Sequence, residues 1–290
     1  MTAPRTGEDP AATHTEGTAP SGQHWQAWTP DPAVAAPVRV VGVVVLVHGL
    51  HEHGGRYGHV AERLAAAGYA SYAVDHPGHG RSPGTRGNIG SMAATVDGVA
   101  ALVRLAGERH PEVPLFVYGH SLGGLIALQY LTGAPDPRVR GAVISGPALD
   151  TGTANGVQRA LAPVLSRLVP DLGVLQLDAD AVSRDPEVVR AYRTDPLDRM
   201  GKVRARTGAE MMKATAALPA RLRSLTLPLF VLHGGADRLV PPAASEMVPA
   251  HAASQDLTRR VYPGLYHEPH NEPEKDQVLD DVVAWLDAHR

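Results

Sequence analysis

Short apolar runs alternate with segments of helical periodicity along most of this chain. Apolar runs occur at 38–47, 69–74, 115–118, 139–145, 227–232 and 257–262. Continuous apolar runs of this length are typical of strands that are buried on both faces of a parallel sheet. Helical patterns lie between them, for example at 60–67, 92–108 and 278–289. The alternation predicts an α/β fold, with a mostly parallel central sheet and helices on both faces.

Two regions depart from this alternation. Residues 1–22 are rich in Thr, Ala, Pro and Gly, which predicts a disordered tail ahead of an edge strand at 24–28. Residues 150–222 contain helical patches but no convincing buried strand. We therefore predict a helical cap, inserted into a core made of residues 23–149 and 223–290.

Composition narrows the class of protein. The 290 residues are 43% hydrophobic, which is enough for a sizeable core. The formal net charge is −3 and no basic block stands out, so no nucleic-acid partner is expected. The sequence has no cysteine, which excludes disulfides and thiolate metal sites. We identify neither a signal peptide nor an apolar run of membrane-spanning length, and expect a cytoplasmic protein, peripheral to a membrane at most.

The central motif is G-H-S-L-G at 119–123, between an apolar run and a helical pattern. A serine on a sharp strand-to-helix turn exposes its hydroxyl above the edge of the sheet, and flanking glycines let the two backbones approach closely. The context therefore predicts a nucleophilic Ser121. The alternative is a glycine-rich helix N-terminus with no chemistry.

A serine nucleophile needs a general base, and the base needs an orienting acid. Asp237 and His267 follow the last two predicted strands, giving the chain order Ser, acid, His. Asp237 also fits a turn residue, and His267 competes with His233 and His270. We expect His233 to be a packed or hydrogen-bonded histidine and His270 to point outward.

An oxyanion formed on such a substrate requires two backbone N–H donors. We expect these at Leu122, directly after the nucleophile, and at Leu50, in the loop after the first central strand. The chain has 15 histidines, but the spacing of His267 and His270 is not that of H-E-x-x-H, and a proline lies between them. No metal and no cofactor are therefore expected.

Several motifs together resemble those of the monoacylglycerol lipase and lysophospholipase group of serine α/β-hydrolases. They are H-G-L-H-E-H-G-G-R-Y at 48–57, D-H-P-G-H-G-R-S at 75–82, G-H-S-L-G-G at 119–124, H-G-G-A-D at 233–237, G-L-Y-H-E at 264–268, and the S-R-D-P and D-P-L segments at 183–186 and 195–197. The resemblance implies an α/β-hydrolase fold, a catalytic triad of Ser121, Asp237 and His267, and a mobile cap over a lipid-binding tunnel. One departure is His51, where the family often has glycine, and we interpret it as a substrate-contacting position.

The predicted cap carries a long series of aliphatic residues between 161 and 182. One interpretation is that they all pack inward as core. The other is that part of the series, including Leu168 and Leu175, contacts the acyl chain of a substrate and transiently touches a membrane surface.

The sequence therefore predicts a serine hydrolase that cleaves lipid esters, with monoacylglycerol as the expected substrate. The alternatives within the same fold are a broad carboxylesterase and a lysophospholipase. A hydrolase-fold binding protein without activity is the alternative from another class.

Overall fold

The computed structural model describes residues 12–31, 39–149 and 156–290. Its strands, in chain order, are β1 (Ala12–Thr18), β2 (His24–Pro30), β3 (Gly42–Val47), β4 (Tyr69–Val74), β5 (Leu115–His120), β6 (Val139–Ser145), β7 (Gly173–Gln176), β8 (Lys202–Arg204), β9 (Leu229–Gly234) and β10 (Leu257–Tyr262). Eight of them form one sheet in the order β1-β2-β4-β3-β5-β6-β9-β10. The six strands β4, β3, β5, β6, β9 and β10 are all parallel to one another. Strand β2 pairs antiparallel with both β1 and β4. The predicted mostly parallel sheet is confirmed.

Helices cover both faces of this sheet. The α-helices of the described residues, in chain order, are α1 (Gly58–Ala66), α2 (Met92–Arg109), α3 (Leu122–Leu131), α4 (Gly156–Leu168), α5 (Pro186–Thr194), α6 (Ala205–Leu222), α7 (Met247–His251) and α8 (Lys275–Ala288). In β3, Val43 and Val45 pack with α2, α3 and α6, whereas Val44 and Leu46 pack with α1 and α8. Successive strand residues point to opposite faces, so a strand covered on both sides must be apolar at every position.

The parallel pairing brings the carboxyl ends of β3, β5, β9 and β10 to the same edge of the sheet. Ligand sites in open α/β sheets lie at this edge. The loops that follow these strands carry Leu50, Ser121, Asp237 and His267, which places all four at one end of the molecule.

The predicted disordered tail is wrong over residues 12–18, because these form β1 and pair along the full length of β2. Strand β2 is consequently not at the edge of the sheet. Most of β1 is exposed and its residues are polar, so hydropathy gives no sign of it. Its stability comes from ladder hydrogen bonds and from β-branched threonines rather than from burial. Residues 1–11 lie outside the described part.

The segment between β6 and β9 contains α4, α5 and α6, as the helical patches predicted, and also a short antiparallel ribbon of β7 and β8. We call residues 156–222 the insertion; residues 150–155 of the predicted cap lie outside the described part. Helix α6 is anchored to the core, since Ala214, Leu218 and Leu222 join the same cluster as α3. In the described part of the chain, no helix is long and apolar enough to cross a membrane.

Candidate active site

Ser121 occupies the turn between β5 and α3. Its backbone has φ 53° and ψ −119°, a left-handed conformation that is unusual for a residue other than glycine. The Ser121 carbonyl oxygen accepts hydrogen bonds from the N–H groups of Gly124, at 3.0 Å, and Ala148, at 3.0 Å. The surrounding backbone thus holds the serine in a strained turn of the kind that presents a nucleophile.

Close backbone contacts explain the glycines on either side of Ser121. A Cβ atom added to Gly119 would lie 2.5 Å from the carbonyl oxygen of Gly123. A Cβ atom added to Gly123 would overlap the carbonyl oxygen of Val47, at the end of β3. The motif predicted from the sequence is therefore required by the packing of α3 against the sheet.

His267 lies between Ser121 and Asp237. Its Nε2 is 2.9 Å from the Ser121 Oγ, and its Nδ1 is 2.7 Å from the Asp237 Oδ2. The His267 side chain is 7% exposed and that of Asp237 is fully buried. The structure therefore brings the three sequence-predicted residues into one hydrogen-bonded chain, although 146 positions separate Ser121 from His267.

Asp237 uses its two carboxylate oxygens for different purposes. Oδ1 accepts hydrogen bonds from the backbone N–H groups of Leu239, at 2.8 Å, and Val240, at 2.9 Å, which stabilise the turn. Oδ2 contacts both His267 and the Nε2 of His233, the latter at 3.0 Å. The turn role and the histidine-orienting role, which are alternatives at the level of sequence, are both present. His233 is buried and hydrogen-bonded, as predicted.

These contacts shift the pKa values of His267 and Asp237. Burial opposes the charged form of His267, but the Asp237 carboxylate and its hydrogen bond outweigh burial and raise the pKa of His267 above its usual value. Burial likewise opposes ionisation of Asp237, yet His267 and His233 hold its pKa well below the usual range. Asp237 is therefore ionised in the folded protein, and its charge favours the protonated form of His267.

The predicted oxyanion donors follow the carboxyl ends of β3 and β5. Leu122 begins α3, where backbone N–H groups are free and the helix dipole favours negative charge. Leu50 lies in the loop after β3. Neither the Leu50 N–H nor the Leu122 N–H donates a hydrogen bond to a described residue. Both groups are thus available to an oxyanion.

His51, next to Leu50, has a φ of 68°. This left-handed conformation explains physically why a related sequence would carry glycine here. The side chain is 2% exposed, and its Nε2 has no hydrogen-bond partner among the described residues. Burial, with the nearby His79 and Arg199, lowers the pKa of His51 to about 3, so its ring is neutral at physiological pH.

A buried ionic cluster that sequence reasoning missed supports the site. Arg56 donates to Glu52 at 2.8 Å and to both oxygens of Glu268 at 2.8 Å. Glu52 in turn accepts from the Gly49 N–H at 2.5 Å, within the loop that carries Leu50. Arg56 also faces the insertion, with its Nε 3.6 Å from the Asp198 Oδ2. The E-x-x-x-R spacing at 52–56 is a weak signal that could have indicated part of this cluster.

The prediction that His270 points outward is wrong. His270 is 1% exposed and stacks on Tyr57, with ring centroids 5.1 Å apart. Its Nδ1 lies 3.3 Å from the Tyr118 hydroxyl oxygen. Proline at 269 starts a single 3-10 turn that folds the ring back into the core, which the sequence alone does not reveal.

The aliphatic residues of the insertion are largely exposed, so the interpretation that they all pack inward is wrong. Leu168 is 72% exposed and Leu175 is 57% exposed. The other exposed members of this surface, which we call the aliphatic surface, are Leu161, Val164, Val169, Leu172, Val174 and Met200.

A mostly parallel sheet with a Ser–His–Asp chain at its carboxyl edge defines an α/β-hydrolase. Comparison with known proteins agrees. A family model described as serine aminopeptidase, S33, matches residues 39–274. The chain is 46% identical to a monoacylglycerol lipase of Mycolicibacterium smegmatis, over 91% of this chain and 92% of that protein.

Two further relatives extend the comparison. Phospholipase YtpA of Bacillus subtilis is 34% identical over 87% of this chain and 97% of its own length. The crystal structure of a Paleococcus ferrophilus monoacylglycerol lipase superposes with a TM-score of 0.78, at 32% identity, over 96% of this chain and 99% of the other. The chain therefore belongs to the serine aminopeptidase S33 family and, within it, to the monoacylglycerol lipase group of ester hydrolases, which confirms the resemblance and the fold.

Proposed function

We propose that this protein hydrolyses monoacylglycerols to a fatty acid and glycerol through an acyl-enzyme formed on Ser121. The observation that carries the proposal is the hydrogen-bonded chain from the Ser121 Oγ through His267 to Asp237, with distances of 2.9 and 2.7 Å. A serine hydroxyl is a weak nucleophile by itself, and this arrangement supplies the base that activates it.

The proposed reaction has two halves. His267 Nε2 accepts the Ser121 proton as the hydroxyl oxygen attacks the ester carbonyl carbon, and the resulting oxyanion accepts hydrogen bonds from the Leu50 and Leu122 N–H groups. His267 then donates the proton to the departing glycerol oxygen. Water, deprotonated by His267, attacks the acyl carbon, the bond from that carbon to the Ser121 Oγ breaks, and His267 returns the proton to the Oγ as the fatty acid is released. Asp237 stabilises the imidazolium in both halves.

The relatives and the aliphatic surface support a lipid substrate. Two of the relatives above are named monoacylglycerol lipases. Exposed aliphatic area beside a site is typical of contact with a lipid or a membrane. We propose that the insertion acts as a lid, that Leu168 and Leu175 meet the acyl chain on its way in, and that the aliphatic surface touches the membrane transiently. His51 is proposed to contact the glycerol-bearing part of the substrate.

The nucleophile is tested by Ser121→Ala. We expect loss of nearly all esterase activity with unchanged thermal unfolding, although a residual rate about 10³–10⁴ above that of water is compatible with the remaining site. Labelling by a fluorophosphonate should occur in the natural sequence and disappear in Ser121→Ala. Absence of labelling and of turnover in the natural sequence would favour the binding-protein alternative.

The substrate class is tested by a panel of monoacylglycerols, lysophospholipids and short esters below their aggregation concentrations. We expect kcat/KM to rise with acyl length and then level off, since each buried methylene contributes up to about 0.8 kcal/mol. Leu168→Asp and Leu175→Asp should reduce kcat/KM for long chains more than for acetyl esters, whereas the exposed Gln255→Asp should not. A flat profile would favour a broad carboxylesterase, and a preference for lysophospholipids would favour a lysophospholipase.

A further inference from the structure

Three arginines come together at the border between the insertion and the core. Arg199 Nη1 and Arg204 Nε donate to the same acceptor, the carbonyl oxygen of Arg86, at 2.7 and 3.2 Å. The guanidinium of Arg86 itself donates to the carbonyl oxygens of Gly80, at 2.6 Å, and Leu197, at 2.5 Å. Three like charges are thus held close together by neutral acceptors.

No carboxylate of the described residues forms an ion pair with this cluster. Asp171 lies beside it, but its carboxylate oxygen accepts a hydrogen bond from the Asn88 side chain, at 2.7 Å. Burial, with the positive charges of Arg204 and Arg86, lowers the pKa of Arg199, although the charge of Asp171 opposes the shift. The excess of positive over negative charge in the cluster is therefore not balanced by an ion pair with a described residue.

Arginines of the insertion differ in their acceptors, and Arg221, for example, donates to the Thr132 hydroxyl at 3.0 Å and the Gln129 carbonyl oxygen at 2.9 Å. Arg184 pairs with Glu272, Arg190 with Glu187, and Arg193 with Asp180. What distinguishes Arg86, Arg199 and Arg204 is that the three are crowded together on carbonyl acceptors, an arrangement that is complementary to an anion that is not part of the chain.

The arginine cluster adjoins the aliphatic surface. Arg204 ends β8, which pairs with β7, the strand that exposes Val174 and Leu175. Lys202, exposed and free of ion pairs with described residues, lies on the same short strand. Aliphatic side chains beside cations are the combination that binds at an anionic bilayer, where phosphates meet the cations and acyl chains meet the aliphatic residues.

We propose that Arg86, Arg199, Lys202 and Arg204, which we call the basic edge, bind phosphate groups of anionic lipids and dock the aliphatic surface on an anionic bilayer. The inference rests on the proposed function, because it is the lipid substrate that makes a bilayer the relevant partner. The partner that binds the basic edge is a membrane surface rather than a single soluble anion, since the basic edge and the aliphatic surface adjoin each other.

The test is sedimentation of full-length Ser121→Ala protein with vesicles of phosphatidylcholine, alone or with phosphatidylglycerol. We expect tighter binding to the anionic vesicles, weakening as salt is raised. One basic residue near an anionic surface contributes about 1 kcal/mol, or about fivefold in partitioning. Lys202→Gln should therefore weaken binding to anionic vesicles about fivefold, and the Arg199→Gln, Arg204→Gln double variant about 25-fold, with little change on neutral vesicles.

Two control variants remove the same charge elsewhere. The first is Lys275→Gln, since Lys275 is on α8, on the opposite face of the sheet. The second is the Arg190→Gln, Arg193→Gln double variant, which removes two ion-paired arginines of α5. Loss of binding that is equal in test and control variants would overturn the proposal, as would equal binding to both vesicle types. Lys202→Gln keeps the test valid if the double variant does not fold, because its side chain forms no hydrogen bond to a described residue.

A readout on active protein separates this proposal from the proposed function. With Ser121 intact, the Lys202→Gln variant should hydrolyse soluble p-nitrophenyl acetate at the unaltered rate. If the protein binds anionic vesicles through the basic edge but hydrolyses no ester, the proposed function fails and the docking surface stands. If it hydrolyses monoacylglycerols but binds neutral and anionic vesicles equally well, the docking proposal fails and the proposed function stands.

Discussion

Arg56 forms a bidentate ion pair with Glu268, the residue directly after His267, and both N–O distances are 2.8 Å. Burial opposes ionisation of Glu268, but the charge and hydrogen bonds of Arg56 keep its pKa low, at about 2. The same guanidinium contacts Glu52, whose carboxylate holds the loop that carries Leu50. One buried cation therefore fixes the proposed base and one proposed oxyanion donor relative to each other.

Glu268→Gln tests this positioning role, because it removes the charge while keeping the shape. Breaking one partner of a buried ion pair costs about 3–5 kcal/mol of unfolding free energy. We expect kcat to fall by up to about 10² with a smaller change in KM, since displacement of a catalytic group affects the reaction step. Glu187→Gln, in an exposed pair with Arg190, should change stability by less than about 0.5 kcal/mol. A correctly folded Glu268→Gln protein with unchanged kcat would rule out the role.

The pH dependence of kcat/KM should report the environment of His267. The base must be neutral to accept the Ser121 proton, and the Asp237 carboxylate raises its pKa. Activity should therefore fall on acidification with a midpoint above about 6.5. Asp237→Asn should move this midpoint to lower pH and reduce kcat by about 10⁴. Asp256→Asn, which alters an Asp–His pair far from the site, should leave the profile unchanged, and an unshifted midpoint in Asp237→Asn would contradict the assignment.

Two glycine substitutions should have opposite effects on stability. Gly123→Ala forces a Cβ atom against the Val47 carbonyl oxygen, so we expect destabilisation of at least about 1–3 kcal/mol and loss of activity as the turn shifts. Gly58→Ala, at a helical position with no atom near the added Cβ, should stabilise the protein by about 0.5–1 kcal/mol. Thermal and denaturant unfolding measure both. Equal effects would show that close packing at position 123 is not the constraint.

Asp198 provides a test of buried charge between insertion and core. Its side chain is fully buried, and neither oxygen has a hydrogen-bond partner in the described part of the chain. Burial raises its pKa to about 8, with Glu52 and Asp195 adding to the shift and Arg56 opposing it. A carboxyl group that is protonated in the folded state and ionised in the unfolded state favours folding less as pH rises.

Asp198→Asn should remove this pH dependence. Between the unfolded pKa, about 3.9, and the folded pKa, the natural protein loses about 1.4 kcal/mol of stability from this group for each pH unit. The variant should therefore gain stability relative to the natural sequence between pH 5 and pH 8, as measured by denaturant unfolding. Asp178→Asn, at an exposed carboxylate of the insertion, should leave the slope unaltered. A stability difference that is independent of pH would contradict the prediction for Asp198.

Patterns within short stretches of the sequence determined the central strands and the positions of the candidate triad. Strands β4, β6 and β10 coincide with the predicted runs, because strands covered on both faces must be apolar at every position. The sequence also placed Ser121 on its turn, since only glycine fits at 119 and 123. It named Asp237 and His267 because each follows a predicted strand of a parallel sheet, and such strands end at one edge.

Relations between distant segments were decided by the tertiary structure alone. Pairing of β1 with β2 depends on a partner strand rather than on the hydropathy of residues 12–18. The Arg56–Glu268 pair joins residues 212 positions apart, and the inward fold of His270 depends on the ring of Tyr57. Exposure of Leu168 likewise depends on what packs against α4, and an aliphatic side chain has the same hydropathy in a core as on a surface. Local periodicity records which residues avoid water on average, whereas these contacts depend on which surfaces meet in three dimensions.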